Sequence, residues 1–206
     1  MGFLYRRISF PYYTDLLTEV KNQGSSLENG GLYDNNLYRF DLRLKSLEYF
    51  SSFSLTLQNY INQKVLKDDA TYSSENEKNK IYDLKFGIEK KLYFLDFYPS
   101  ITVSLYRSNQ NFLRFKSLTD INPVFVKNAY SYNEYAISLP FKHYINDLEF
   151  GFELKHTLRS YTDRNARDLN NDYTSQKQRD RKTLLIFSVV KKINEISDII
   201  FLYSYL

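Results

Sequence analysis

Tyr135-Ala-Ile-Ser-Leu-Pro-Phe-Lys-His143, followed by Tyr144-Ile-Asn-Asp147 and Leu148-Glu-Phe-Gly-Phe-Glu-Leu-Lys-His-Thr-Leu-Arg159, decides how this chain is read. In the second arm Leu148, Phe150, Phe152, Leu154 and Leu158 share one parity, while Glu149, Glu153, Lys155, Thr157 and Arg159 share the other. A side-chain period of two belongs to an extended strand with one apolar and one charged face. The first arm repeats the pattern, with Tyr135, Ile137, Leu139 and Phe141 set against Glu134, Ala136, Ser138 and Lys142. Asn146-Asp147 between them supplies turn chemistry, since both side chains bond to nearby backbone and tolerate positive φ. The stretch predicts a long, two-sided β-hairpin.

The same grammar recurs along the chain. Strands are expected over Phe3 to Tyr13, Leu37 to Ser46, Ser52 to Leu66, Lys80 to Lys90, Phe97 to Ser108, Lys182 to Ile193 and Ile199 to Leu206. With the central hairpin that makes nine. Asp15 to Lys21 reads as a helical turn or two. Short turns are expected near residues 48, 93, 145 and 196, and long polar loops near 23, 73, 119 and 171, including Lys67 to Asn79, Asn109 to Asn128 and Thr162 to Asp180. Long meander strands joined by short turns on one rim and long polar loops on the other predict an all-β, antiparallel up-and-down meander forming a transmembrane β-barrel over residues 1–206. Tyr49, Phe50, Tyr93, Phe94, Phe97, Tyr98, Phe141 and Tyr144 crowd the short-turn rim, as an interfacial aromatic girdle does. Pro99 and Pro140 are expected near strand ends on that rim, where a missing donor is tolerable.

Bulk properties narrow the choice. The 206 residues include 20 Tyr and 16 Phe, no Trp and no Cys, and carry a net charge of +4. Mean hydropathy is −0.50, and no apolar run approaches the roughly 18 residues of a membrane helix. A barrel escapes that test because its two kinds of residue alternate. Without cysteine there is neither a disulfide framework nor a thiolate metal site. The positive charge is spread along the chain without a basic tract, which points away from nucleic acid. Arg6, Arg7, Ser9 and Pro11 interrupt any apolar leader near Met1, so the chain reads as cytosolic or as a segment of a longer one. Nine strands, where single-chain bacterial barrels carry an even number, read as a barrel lacking its N-terminal portion and closing strands.

The strand grammar, together with Arg164 to Lys192 and its Asp172-Tyr-Thr-Ser-Gln-Lys-Gln-Arg-Asp-Arg-Lys182 run before an apolar strand, resembles the C-terminal barrel of surface lipoprotein assembly modifiers. That resemblance implies an outer membrane of Gram-negative type, contact with lipid and lipopolysaccharide, and transport or surface export of a lipoprotein. The alternatives are a passive porin or structural barrel, and a soluble ligand-binding β-barrel whose apolar parity points inward.

The charged parity gives the candidate lumen-lining residues: Arg39, Asp41, Arg43, Lys45, Asp83, Lys85, Glu89, Glu134, Glu149, Glu153, Lys155 and Arg159. Such a wall either passes or grips a polar solute, or only pairs its own charges across strands. Arg159, Arg164, Arg167, Arg179 and Arg181 could meet lipopolysaccharide phosphates or merely keep a rim soluble. The carboxylates and amides from Asp163 to Asp172 lack EF-hand spacing. His143 and His156 lack a third ligand for zinc. No nucleophile elbow, phosphate loop or dinucleotide fingerprint is present, so neither catalysis nor a cofactor is expected.

Overall fold

The computed structural model describes residues 1–9, 33–91, 95–115, 122–146, 148–170, 172–192 and 198–205. All of its regular structure is strand: β1 (Gly2–Ile8), β2 (Asn35–Ser46), β3 (Tyr49–Leu66), β4 (Tyr72–Ile88), β5 (Lys90–Lys91), β6 (Leu95–Phe97), β7 (Ser100–Ser108), β8 (Phe112–Arg114), β9 (Val124–Val126), β10 (Tyr132–Ile145), β11 (Leu148–Arg167), β12 (Tyr173–Lys192) and β13 (Asp198–Tyr205). Nine of these pair in the order β1-β2-β3-β4-β7-β10-β11-β12-β13, every neighbour antiparallel. The antiparallel meander is therefore as expected. Closure is not: among the described residues β1 and β13 do not pair, and the sheet is open rather than a closed barrel.

Two expected loops are strands. β4 begins at Tyr72, inside the stretch read as a loop to Asn79, and residues 67–71 alone make the turn. Likewise β11 runs to Arg167 and β12 starts at Tyr173, where Thr162 to Asp180 was expected to be irregular. These extensions are polar on both faces, so no alternation marks them, yet their backbones still close a ladder. Both hairpins slip register, between Asn59 and Lys64 in one and between Ser160 and Asn165 in the other. The long-short alternation of connections thus fails at two of its four long members. A third, Asn109 to Asn128, contains the small β8–β9 hairpin. The fourth, with the helical turn expected over Asp15 to Lys21, lies outside the described residues, as do Tyr93 and Phe94.

Pro140 sits inside β10, not at its end, opposite Glu153. On its other side β10 pairs with β7 up to Ser138 and with β6 from Phe141, leaving a gap at Pro140. The missing N–H falls in that gap, and the Pro140 carbonyl accepts Tyr98 N–H at 3.0 Å.

Register assigns the two faces. Direct partners share a face, and one face gathers Phe40, Leu55, Tyr82 and Leu105 in one row, then Leu42, Phe53, Leu84, Val103, Tyr135 and Leu158 in the next. Lower down, Phe97, Phe141, Phe152 and Phe187 form an aromatic ladder across four strands, with ring centroids 4.5, 6.2 and 5.0 Å apart. Of the eight rim aromatics expected, Phe97 and Phe141 belong to this ladder. Phe50 is not part of it, because its ring lies on the opposite face against Gly87, where an added Cβ would also come within 2.8 Å of the Pro99 carbonyl.

Nothing among the described residues covers the apolar face. Phe86 is 55% exposed, Ile101 54% and Ile137 51%, while the buried hydrophobic residues are Ala129 and Ala136. Half exposed, each of these side chains forgoes about half of the ~1.5–3 kcal/mol that full burial would supply.

Candidate functional site: the polar face

The opposite face brings together every one of the twelve candidate residues. Asp41, Ser54, Asp83, Ser104, Glu134, Arg159 and Asp180 are successive direct partners and form one transverse row. The row two residues below runs Arg43, Ser52, Lys85, Thr102, Ala136, Thr157 and Lys182. A third holds Lys45, Phe50, Gly87, Ser100, Ser138 and Lys155. Register thus sorts the charges into tiers: a largely acidic row above two basic ones. In the acidic row Ser54 and Ser104 occupy the intervening strands, so Asp41, Asp83 and Glu134 are spaced by two strand widths, on the order of 10 Å. Arg39 lies above the acidic row, in line with Tyr106 and Tyr132.

Several charges are internally satisfied. Arg39 Nε donates to Asp41 at 3.0 Å. Arg159 holds Glu134 with Nε at 2.8 Å and Nη2 at 2.7 Å, and its guanidinium lies 4.0 Å from the Tyr132 ring centroid. Glu153 accepts from the Ser138 hydroxyl at 2.7 Å. Glu149 pairs with Lys142. Glu89 lies just past β4, its carboxylate joined to Lys45 and, at 4.0 Å, to Lys91. Asp180 and Lys182 belong to the same wall, although sequence reading placed Asp180 in a loop. No alternation marks them, because Arg181 and Thr183 on the other parity are polar as well. Glu134, Lys155, Thr157, Arg159, Asp180 and Lys182 line a polar recess of about 330 Å³.

Above the apolar band, Asn35, Glu77, Asn79, Ser108 and Ser131 are buried. Ser108 and Ser131 exchange two bonds of 3.0 Å. Burial pushes the Glu77 carboxyl up to about 8, and Tyr60 beside it is raised by burial and by the Glu77 charge.

Other candidates are dispersed. His143 and His156 both lie on the apolar face, but in different rows, opposite Phe150 and Ile137. His156 Nδ1 is 2.8 Å from Thr183 Oγ1. The Asp168 carboxylate caps its own turn, accepting the N–H groups of Asn170 and Asp172 at 2.9 Å. Arg167 and Arg114 both sit over the Tyr173 ring, and Arg164 over Tyr161. Among the described residues no group of three or more His, Cys, Asp or Glu is placed to hold a metal, and no helix is long and apolar enough to cross a membrane. Comparison with protein-family models, with curated proteins and with solved structures finds no match.

Proposed function

We propose that this chain is a lipid-facing wall of a transmembrane antiparallel β-barrel in a bacterial outer membrane, serving transport or surface export rather than catalysis. The observation that carries this reading is the uncovered apolar face, backed by a face of tiered charge. In water that arrangement is unfavourable; in hydrocarbon it is the favourable one. The dimensions agree. The apolar parity of β11 runs from Leu148 to Leu158, and eleven residues at about 3.4 Å rise, tilted about 45°, span on the order of 25 Å, the height of an outer-membrane apolar band. The tiers make the polar face a wet, mixed-charge surface for a polar cargo, with lipid and lipopolysaccharide on the other side and a surface lipoprotein as the cargo class. The internally paired charges favour a second reading, a passive porin-like wall. A soluble ligand-binding barrel would enclose the parity that is exposed here.

The test is fractionation of expressing cells followed by gel migration with and without boiling. Outer-membrane protein that migrates faster unheated supports the reading. Soluble protein without the shift overturns it.

A further inference from the structure

The apolar face has a sharply asymmetric charge. Along the regular register of the eight main strands from β1 to β12 its parity carries no Asp or Glu. Its cations collect at one end, where Arg7, Lys78, Lys80, Arg107, Arg179 and Arg181 follow the upper border of the apolar band. At the other end stands Lys191, opposite Leu148. The upper border descends from Lys78, opposite Asn59, to Arg181, opposite Leu158, as a line crossing tilted strands does.

The centre of this line is a built recess. Lys80 and Arg107 are direct partners, one pair above Tyr82 and Leu105, the last apolar pair of the band on these strands. With Lys78 they line a cavity of about 360 Å³, to which Glu75 contributes a carboxylate. Arg107 is held by neutral acceptors: Nη1 donates to the Tyr106 and Tyr132 carbonyls at 2.9 Å, and Nη2 to Asn133 Oδ1 at 2.7 Å. Its position is fixed, and among the described residues it forms no ion pair. Lys78 and Lys80 are exposed, and neither forms an ion pair among the described residues.

We infer that Lys78, Lys80 and Arg107 bind the phosphate of an anionic lipid headgroup at the border of the apolar band. The inference rests on the membrane reading. Three cations in a recess beside a hydrocarbon-facing surface match the two parts of such a lipid: phosphate in the recess, acyl chains along Tyr82 and Leu105. Arg107 supplies a fixed fork and the lysines mobile point charges.

The full chain is refolded into phosphatidylcholine vesicles with and without phosphatidylglycerol, extracted in mild detergent and weighed intact by native mass spectrometry. Preferential retention of phosphatidylglycerol is expected. K78Q/K80Q should weaken it by roughly fivefold per cation removed, and R43Q/K85Q on the polar face should leave it unchanged. R107Q, a second variant, should weaken it while the ladder persists by circular dichroism. A chain that inserts but retains both lipids equally, before and after K78Q/K80Q, overturns this inference alone. Release of the lipid by added inorganic phosphate overturns the lipid assignment in favour of a free-anion site. A chain that never inserts overturns the membrane reading and this inference together.

Discussion

Strand β11 has two halves that differ in everything except backbone conformation. From Leu148 to Leu158 its parity is strict, apolar on one face and charged on the other. From Ser160 to Arg167 both faces are polar, the register with β12 slips, and the strand continues nonetheless. β3 and β4 repeat the contrast, regular as far as the Asn59–Lys78 pair and irregular beyond it. Hydrogen bonding alone sustains a strand; alternation is added where one face meets an apolar medium. The periodic halves report an environment and the polar halves report only a ladder.

That comparison breaks most directly with an arginine in each half. Phe152→Arg, in the aromatic ladder, should destabilise the protein in vesicles by about 2–4 kcal/mol. Gln176→Arg, in the polar extension, should stay within about 0.5 kcal/mol. Urea titration of the reconstituted chain measures both, and equal costs would dissolve the distinction. On the polar face Gly87→Ala should cost about 1–3 kcal/mol by the same titration, because the new methyl meets the Phe50 ring and the Pro99 carbonyl.

The extensions have their own titration. Glu77 lies beyond Lys80, past the apolar band, and its carboxyl is raised from 4.5 to about 8 by burial. Its neutral form is the one the fold favours. Stability is therefore full below the unfolded value near 4.5 and falls as the pH rises towards about 8, with a slope no steeper than about 1.4 kcal/mol per pH unit. Above that it levels off. Glu77→Gln should flatten this dependence, which unfolding midpoints across the range would read. A small gain is expected at the β2–β3 turn, where Leu47 holds φ at 50°. Leu47→Asn should gain about 1 kcal/mol, seen as a higher midpoint in the same assay.

The contrast also explains what could be read from sequence. The charged residues of one face and strands β2, β3, β4, β7, β10 and β11 were legible through alternation, whereas β1, with Phe3, Leu4 and Tyr5 in succession, was legible only through its apolar and aromatic content. Residues 72–79, 162–167 and 173–180 were not legible as strand: Ser73, Ser74, Glu75 and Asn76, for example, carry turn chemistry and no period. Pro140 misled differently, because its tolerance depends on a gap between two neighbouring strands that no local pattern encodes. The cationic recess also needed register. Lys80 and Arg107 are 27 positions apart in the chain and become partners only when β4 meets β7.

The order of the sheet has a topological consequence. With nine strands alternating in direction, β1 and β13 point the same way. Joined to each other, they would meet in a parallel seam, and so would two copies arranged head to tail around a common axis. A ring antiparallel throughout needs an odd number of added strands between these two edges. Strand polarity alone thus sorts the routes to a closed ring into a parallel-seamed class, built from this nine-strand sheet alone or from copies of it head to tail, and an antiparallel class that takes an odd number of further strands between the two edges.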